Sequence, residues 1–285
     1  MRDKIVLITG ATSGLGKVAA TELAKKGARV IIHGRNKDKA EAAKNEIMEA
    51  CQHDKVELLI ADFNSLQQVR RMAEEFNKKF DHLDVLVNNA GGIMDSVRKE
   101  TKDGNELTIA INVLSHYLLT ALLFQKLKMS TNARIINISS EAHKTAKPDF
   151  NDFQMTRSYS AYLAYGNSKL YNILFAKEMH RRLTRQGIMN IKVNAMHPGV
   201  VATNFALKSS SKANLFFKLL RPLLLSPEKG ADTIIYLASD PKAGNTSGAY
   251  LKKRKIVNTS SKYDNQENAK KLWAACEELS GEKFL

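Results

Sequence analysis

A chain of 285 residues, 44% hydrophobic and 26% charged, has the length for one large α/β domain and enough apolar surface to fold, which excludes wholesale disorder. Its 44 Lys and Arg against 29 Asp and Glu give a net charge of +15. The basic residues are scattered through helix-like segments, with one run at Lys252, Lys253, Arg254 and Lys255, so an anionic cofactor or an acidic surface is expected and a nucleic-acid partner is not.

Met1-Arg2-Asp3-Lys4 runs straight into Ile5-Val6-Leu7-Ile8, which predicts no signal peptide, and no window approaches the length of a spanning helix. The two cysteines, Cys51 and Cys276, make no disulfide scaffold and have no neighbour at metal-ligand spacing. A cytoplasmic location, peripheral membrane contact left open, and no metal are therefore expected. In chain order, strands are predicted over residues 4–9, 29–33, 55–61, 85–88, 133–139 and 192–196. Helices are predicted over 16–26, 38–50 and 65–80, the last capped by Ser65. Alternating short apolar runs and helical segments predict an α/β fold, a Rossmann-type doubly wound parallel sheet. With no linker, no repeat and only five prolines, a single domain over residues 1–285 is expected, its ligands beyond the carboxyl ends of the strands. Residues 142–158 and 203–227 are the least regular. The latter, with its apolar-basic stretch at 215–225, is the expected substrate loop, a lid or a membrane contact.

The first strand ends in Thr9-Gly10-Ala11-Thr12-Ser13-Gly14-Leu15-Gly16. Three glycines in a strand-to-helix turn suit a tight turn, a close approach to a pyrophosphate and close helix packing, although the spacing departs from GxGxxG and glycines can serve the turn alone. Near the end of the second strand, Arg35 follows Gly34 where an acidic residue would favour NAD. An arginine there can pair with a 2′-phosphate, which points to NADP(H); a solvated loop arginine is the alternative. Asp62 lies past the third strand, placed to accept from an adenine amino group or to start a helix. Asn88-Asn89-Ala90-Gly91-Gly92 ends the fourth, where small residues leave room for adenosine and Asn side chains can tie strand ends together. Tyr165 and Lys169 share a helix face, so the ammonium can stabilise a phenolate; the spacing alone also fits an ordinary amphipathic helix. His143 and His197 are read as loop hydrogen-bonding residues.

These motifs, with Ser139-Ser140 and His197-Pro198-Gly199-Val200-Val201-Ala202-Thr203, stand in the order and approximate spacing of the short-chain dehydrogenase/reductase superfamily, which the chain resembles. The 25-residue separation of Ser140 and Tyr165, the insert holding Asp149-Phe150-Asn151-Asp152-Phe153, and the stretch around Trp273 and Cys276 are similar to the retinol-dehydrogenase-like branch. The resemblance implies Tyr165 as general acid/base, Lys169 lowering its pKa and holding the nicotinamide ribose, Ser140 rather than Ser139 orienting the substrate oxygen, and Asn112 in a proton relay. It also implies NADP(H) against Gly10, Thr12, Ser13, Gly14, Leu15, Gly16, Arg35, Asp62, Asn89, Ala90, Gly91, Tyr165, Lys169, Pro198, Gly199 and Thr203. The implied activity interconverts an alcohol and a carbonyl on an apolar substrate: a retinoid, steroid, lipid aldehyde or aromatic carbonyl. An NADP(H) sensor without turnover and a protochlorophyllide-type double-bond reductase are the alternatives. A homo-oligomer is left open, since helices around Asn112 and Tyr165 form interfaces in many relatives.

Overall fold

The computed structural model describes residues 1–199, 226–259 and 261–285. Its strands are β1 (Ile5–Ile8), β2 (Arg29–Gly34), β3 (Val56–Ile60), β4 (Val85–Asn88), β5 (Ala133–Ile138), β6 (Ile191–His197), β7 (Tyr250–Lys252) and β8 (Lys255–Ile256). They form one sheet in the order β3-β2-β1-β4-β5-β6-β7-β8, parallel except for the antiparallel β7–β8 pair. The order reverses between β1 and β4, which are paired in register Ile8↔Val87. This is the switch point at which open α/β sheets bind ligands.

The helices are α1 (Gly14–Lys25), α2 (Lys37–Cys51), α3 (Leu66–Lys79), α4 (Leu107–Ile109), α5 (Ser115–Leu122), α6 (Phe124–Met129), α7 (Ala161–Arg185), α8 (Pro227–Ser239) and α9 (Gln266–Ser280). A π-helical turn, Ala110–Leu114, joins α4 to α5. Because successive strand side chains point to opposite faces, each strand feeds two cores. Leu7, Ile31, Leu86 and Ile135 pack with side chains of α3, α5, α7 and α9. Val6, Ile8, Ile32, Val87 and Ile136 pack with those of α1, α2 and α8. Short polar residues start the helices: Asn36 Oδ1 accepts from Lys39 N at 2.9 Å, and Ser160 and Asn265 cap α7 and α9 in the same way.

One expectation is corrected. Ser65 occupies the cap position of α3 but its side chain makes no capping bond; Asp103 Oδ2 accepts from Leu66 N at 2.7 Å instead. The basic run at 252–255 is a hairpin joining β7 to β8. Lys253 and Arg254 take positive φ, and the Arg254 guanidinium pairs with Asp232.

The face of α5 and α7 away from the sheet is covered by the chain's own carboxyl end. Trp273 stacks on Phe175 with centroids 5.7 Å apart and meets Tyr117 edge to face at 5.3 Å. Phe284 closes the cluster over Tyr117 at 5.4 Å. Arg182 lies over the Trp273 ring at 4.3 Å, with a main-chain oxygen of Leu285 at 2.9 Å from its Nη1.

Candidate active site

The turn after β1 is built by polar groups as much as by glycine. Thr9 Oγ1 accepts from the main-chain N–H of Asn89 and of Ala90, each at 2.9 Å. Asn89 Nδ2 donates to the carbonyls of Thr9 at 2.7 Å and Gly10 at 3.1 Å. Asn88 Nδ2 donates to Asn137 Oδ1 at 2.9 Å. The asparagines thus tie strand ends together as their sequence positions suggested. Gly10 has φ +64° and a Cβ there would sit 2.8 Å from Ala90 Cα; one at Gly16 would sit 2.6 Å from Asn89 Nδ2. The turn is therefore held hard against the end of β4, and only glycine fits.

Ser13 precedes α1 without a side-chain cap bond, so it leaves the N–H groups of the first turn, among them Gly14, Leu15 and Gly16, without a cap from its own side chain among the described residues. An uncapped helix start beside a glycine turn suits a diphosphate. A Cβ at position 34 would meet Thr12 Cγ2 at 2.4 Å, so Thr12 abuts the residue next to Arg35, which is exposed. Asp62 accepts from Asn64 N at 3.0 Å through Oδ1, just past β3 and on the same side of the sheet ends. These groups fit a dinucleotide whose phosphates lie at α1 and whose adenosine lies over β2 and β3.

The opposite half of the cleft carries the reactive side chains. Ser140 follows β5, and its Oγ accepts from Ala142 N at 3.3 Å, leaving the hydroxyl proton for another acceptor. That hydroxyl is hydrogen-bonded to the Tyr165 phenol. Burial pushes the phenol up to about 12, opposed by the Ser140 bond. Lys169 Nζ donates to the Ile138 carbonyl at 3.1 Å and lies 5.4 Å from the Tyr165 ring centroid. Burial pulls Lys169 down to about 8. Ser139 is spent on structure, its Oγ donating to the Lys169 carbonyl at 2.7 Å.

Asn112 lies in the π-helical turn and is fully buried. Its Oδ1 accepts from Gly92 N, and its Nδ2 donates to Gly92 O and to Ser168 Oγ, all at 2.9 Å. The amide is thus committed to holding the 91–92 loop, and a Cβ at Gly91 would strike its Oδ1 at 2.5 Å. What Asn112 could offer a relay is its main-chain carbonyl, 3.1 Å from His116 Nδ1. Pro198 and Gly199, the latter with φ +89°, follow β6. Thr203 lies outside the described residues, as does the stretch 215–225.

Two histidines that the sequence reading passed over underlie the site. His33 Nδ1 accepts from Gly10 N at 3.2 Å and its Nε2 meets the Ala61 carbonyl at 3.0 Å, while its ring stacks on Phe63 at 4.3 Å. His116 Nε2 lies 3.3 Å from Thr9 Oγ1. Neither stands in a motif, and only the fold brings them under the glycine turn. Among the described residues, no group of three His, Cys, Asp or Glu could hold a metal, and no helix is long and apolar enough to cross a membrane.

Residues 4–214 match the short chain dehydrogenase family. Retinol dehydrogenase 12 of Mus musculus is 38% identical over 278 residues, covering 98% of this chain and 86% of that protein. Polyprenol dehydrogenase of Homo sapiens is 37% identical over 284 residues, with 98% and 86% covered. Among solved structures, an uncharacterized protein from Mycobacterium paratuberculosis superposes with a TM-score of 0.80 at 33% identity, covering 100% of this chain and 96% of that one. A 3-ketoacyl-(acyl-carrier-protein) reductase from Brucella melitensis, complexed with NADH, gives 0.66 at 27% identity over 88% of this chain and 96% of that one. The chain belongs to the short-chain dehydrogenase family and to its retinol-dehydrogenase-like branch, whose chemistry is the nicotinamide-dependent oxidoreduction of alcohols and carbonyls.

Proposed function

We propose that the chain is an NADP(H)-dependent alcohol dehydrogenase or carbonyl reductase for an apolar substrate. The observation that carries this reading is the convergence of Ser140, Tyr165 and Lys169 beside the end of β5. NADP(H) is favoured over NAD(H) by Arg35, which stands exposed past β2 where the other cofactor would be met by a carboxylate. Gly10, Thr12, Ser13, Gly14, Leu15 and Gly16 would hold the diphosphate, Asp62, Asn89, Ala90 and Gly91 the adenosine side, and Lys169, Pro198, Gly199 and Thr203 the nicotinamide end. Once bound, the cofactor supplies or takes up a hydride. The chain handles the accompanying proton.

At neutral pH the Tyr165 phenol, pushed up to about 12, keeps its proton on Oη and can give it to a carbonyl oxygen as negative charge develops there. Ser140, its Oγ fixed by the Ala142 N–H, donates to the same oxygen and polarises it. Lys169, mostly cationic at neutral pH with its pKa near 8, steadies the phenolate left behind and bonds the ribose. Alcohol oxidation runs the same path in reverse. Asn112 keeps the 91–92 loop and Ser168 in place and offers its carbonyl to a relay. An apolar substrate is supported by the exposed Ile93 and Tyr162, the latter one helical turn before Tyr165, and by relatives named for retinol and polyprenol. The domain is read as one unit over 1–285, with 203–227 as the substrate loop. Its cellular place is cytoplasmic, with peripheral membrane contact through that loop as the variant to test.

The test is NADPH consumption, followed at the nicotinamide absorbance, against retinal, steroid ketones, medium-chain aldehydes and aromatic ketones, with NADH alongside. Turnover with NADPH on one of these classes supports the reading. Tight NADPH binding with no turnover on any of them would instead favour a sensor.

A further inference from the structure

Residues 149–160, which lie between Ser140 and Tyr165, are seated on α7 by aromatic side chains. Phe153 is buried and stacks on Tyr171 with centroids 5.1 Å apart, and Phe150 meets the same ring at 5.8 Å. The next residue, Gln154, turns to the segment that precedes α4. Its Nε2 donates to Asn105 Oδ1 at 2.7 Å, its Oε1 accepts from Glu106 N at 2.8 Å, and its main-chain carbonyl accepts from Arg98 Nε at 3.0 Å. The Tyr159 hydroxyl lies 3.2 Å from Glu106 Oε1 and 3.4 Å from the Asp95 carbonyl, two acceptors for its one proton, and 3.5 Å from Thr108 Oγ1, which can donate to it. Glu106 is fully buried and also accepts from the N–H groups of Thr108 and Ile109, at 2.9 and 2.7 Å.

These bonds hold residues 93–98 along their length. Before them, Gly92 is fixed by both ends of the Asn112 amide. In the middle the Asp95 main chain meets Tyr159. At the far end Arg98 is tied to Gln154, and the Lys99 carbonyl accepts from Leu107 N at 2.9 Å. Of the large apolar side chains that stand exposed among the described residues, Ile93 (40%), Val97 (58%) and Tyr162 (58%) fall on this segment and on the first turn of α7. Tyr162 comes three residues after Tyr159 and three before Tyr165. Apolar side chains gathered beside a reactive group, on main chain fixed by buried polar bonds, make a pre-formed wall for an apolar ligand. Because Tyr162 stands about 5 Å along α7 from Tyr165, a carbonyl compound of only a few carbons stops short of it.

We propose that Gln154 and Tyr159 are positioning residues that set substrate length. By tying residues 93–98 to the start of α7 they place Ile93 and Val97 with Tyr162 as an apolar entrance to the Ser140–Tyr165 site. That entrance selects carbonyl or alcohol substrates whose apolar chain extends well beyond the reacting carbon. Both residues act through the segment they hold, not on the reacting atoms. The selection of substrate deepens the function proposed above and rests on it; the tie between the two segments does not.

The experiment compares the full-length wild type, Tyr159→Phe and Gln154→Leu in NADPH-dependent reduction of butanal and decanal, with hydrogen exchange of the 93–98 amides followed in the same three proteins. The wild type is expected to reduce decanal with a kcat/KM about a hundredfold above that for butanal. Tyr159→Phe loses one hydroxyl and keeps the ring. It should raise the KM for decanal about tenfold at unchanged kcat, leave butanal kinetics and NADPH affinity within about twofold, and speed exchange at 93–98. Gln154→Leu should shift the same quantities in the same direction, and it decides the matter should Tyr159→Phe not fold. Equal kcat/KM for the two aldehydes in the wild type overturns the proposal, as does a variant loss that is absent or falls equally on both aldehydes. If the wild type turns over neither aldehyde, the proposed function fails by itself for this substrate class. Exchange then still decides the tie, and unchanged protection of 93–98 in both variants overturns it.

Discussion

Acidification should destabilise this fold through two rings beneath the glycine turn. His33 accepts a main-chain N–H on Nδ1, so its own proton sits on Nε2 toward Ala61 O; His116 must place its proton on Nδ1 to bond the Asn112 carbonyl. Both are neutral by construction. Burial holds His33 down to about 4 and His116 to about 3, from 6.5. The unfolded chain takes up protons at these residues as pH falls through about 6.5, while the folded chain does not until about 4 or 3. Their stabilising effect is thus complete above 6.5 and is lost on the way down. Between about pH 7.5 and about pH 5 that amounts to roughly 2 kcal/mol per ring, from 1.5 pH units at about 1.36 kcal/mol each. Urea unfolding of the wild type and of His33→Gln at both pH values measures it. The variant should lose about 2 kcal/mol less than the wild type on acidification. An equal loss in the two proteins would refute the assignment of His33 as a ring held neutral by its burial.

Three further outcomes are expected. Arg35→Asp should weaken NADPH binding by more than about tenfold, from the loss of a charge-assisted bond and the gain of a repulsive carboxylate, while leaving NADH within about twofold; calorimetric titration of both nucleotides checks it, and equal losses would argue against a 2′-phosphate contact. Ser140→Ala should cut kcat by about a hundredfold, whereas Ser139→Ala, which removes the bond to the Lys169 carbonyl, should cost about 1 kcal/mol of stability in a urea melt and leave kcat within a few fold. The intact chain should run as a monomer in light scattering, because Trp273 and Phe284 cover Tyr117 and Phe175; cross-linking of two copies through α5 and α7 would contradict this.

Most of the sheet was legible because buried parallel strands are short continuous apolar runs, and six of them stand out between helical segments. β7 and β8 were not, since strands of three and two residues carry no periodicity, and their turn uses Lys253 and Arg254 at positive φ in place of the Asn or Gly that marks a hairpin. Ser65 reads as a cap because its side-chain chemistry suits the position. The bond runs from Leu66 N to Asp103, 37 residues away in sequence, which no local pattern reveals. The glycine turn, Arg35 and the Tyr165–Lys169 pair were visible as motifs, since each depends on residue type at fixed local spacing. His33 and His116 were not, because their partners Gly10, Ala61 and Thr9 are brought together only by strand order. The upward pull of burial on Tyr165 was likewise invisible until the depth of the cleft was known.

The central claim is that Tyr165 carries the proton in an NADP(H)-dependent reaction, and it is tested most directly by comparing Tyr165→Phe with the wild type for NADPH oxidation on a turned-over substrate, with NADPH affinity measured in parallel. The account predicts that turnover falls by at least about a hundredfold while affinity changes by less than about threefold, since the variant removes the proton carrier and leaves the pocket. Undiminished turnover in Tyr165→Phe would contradict it.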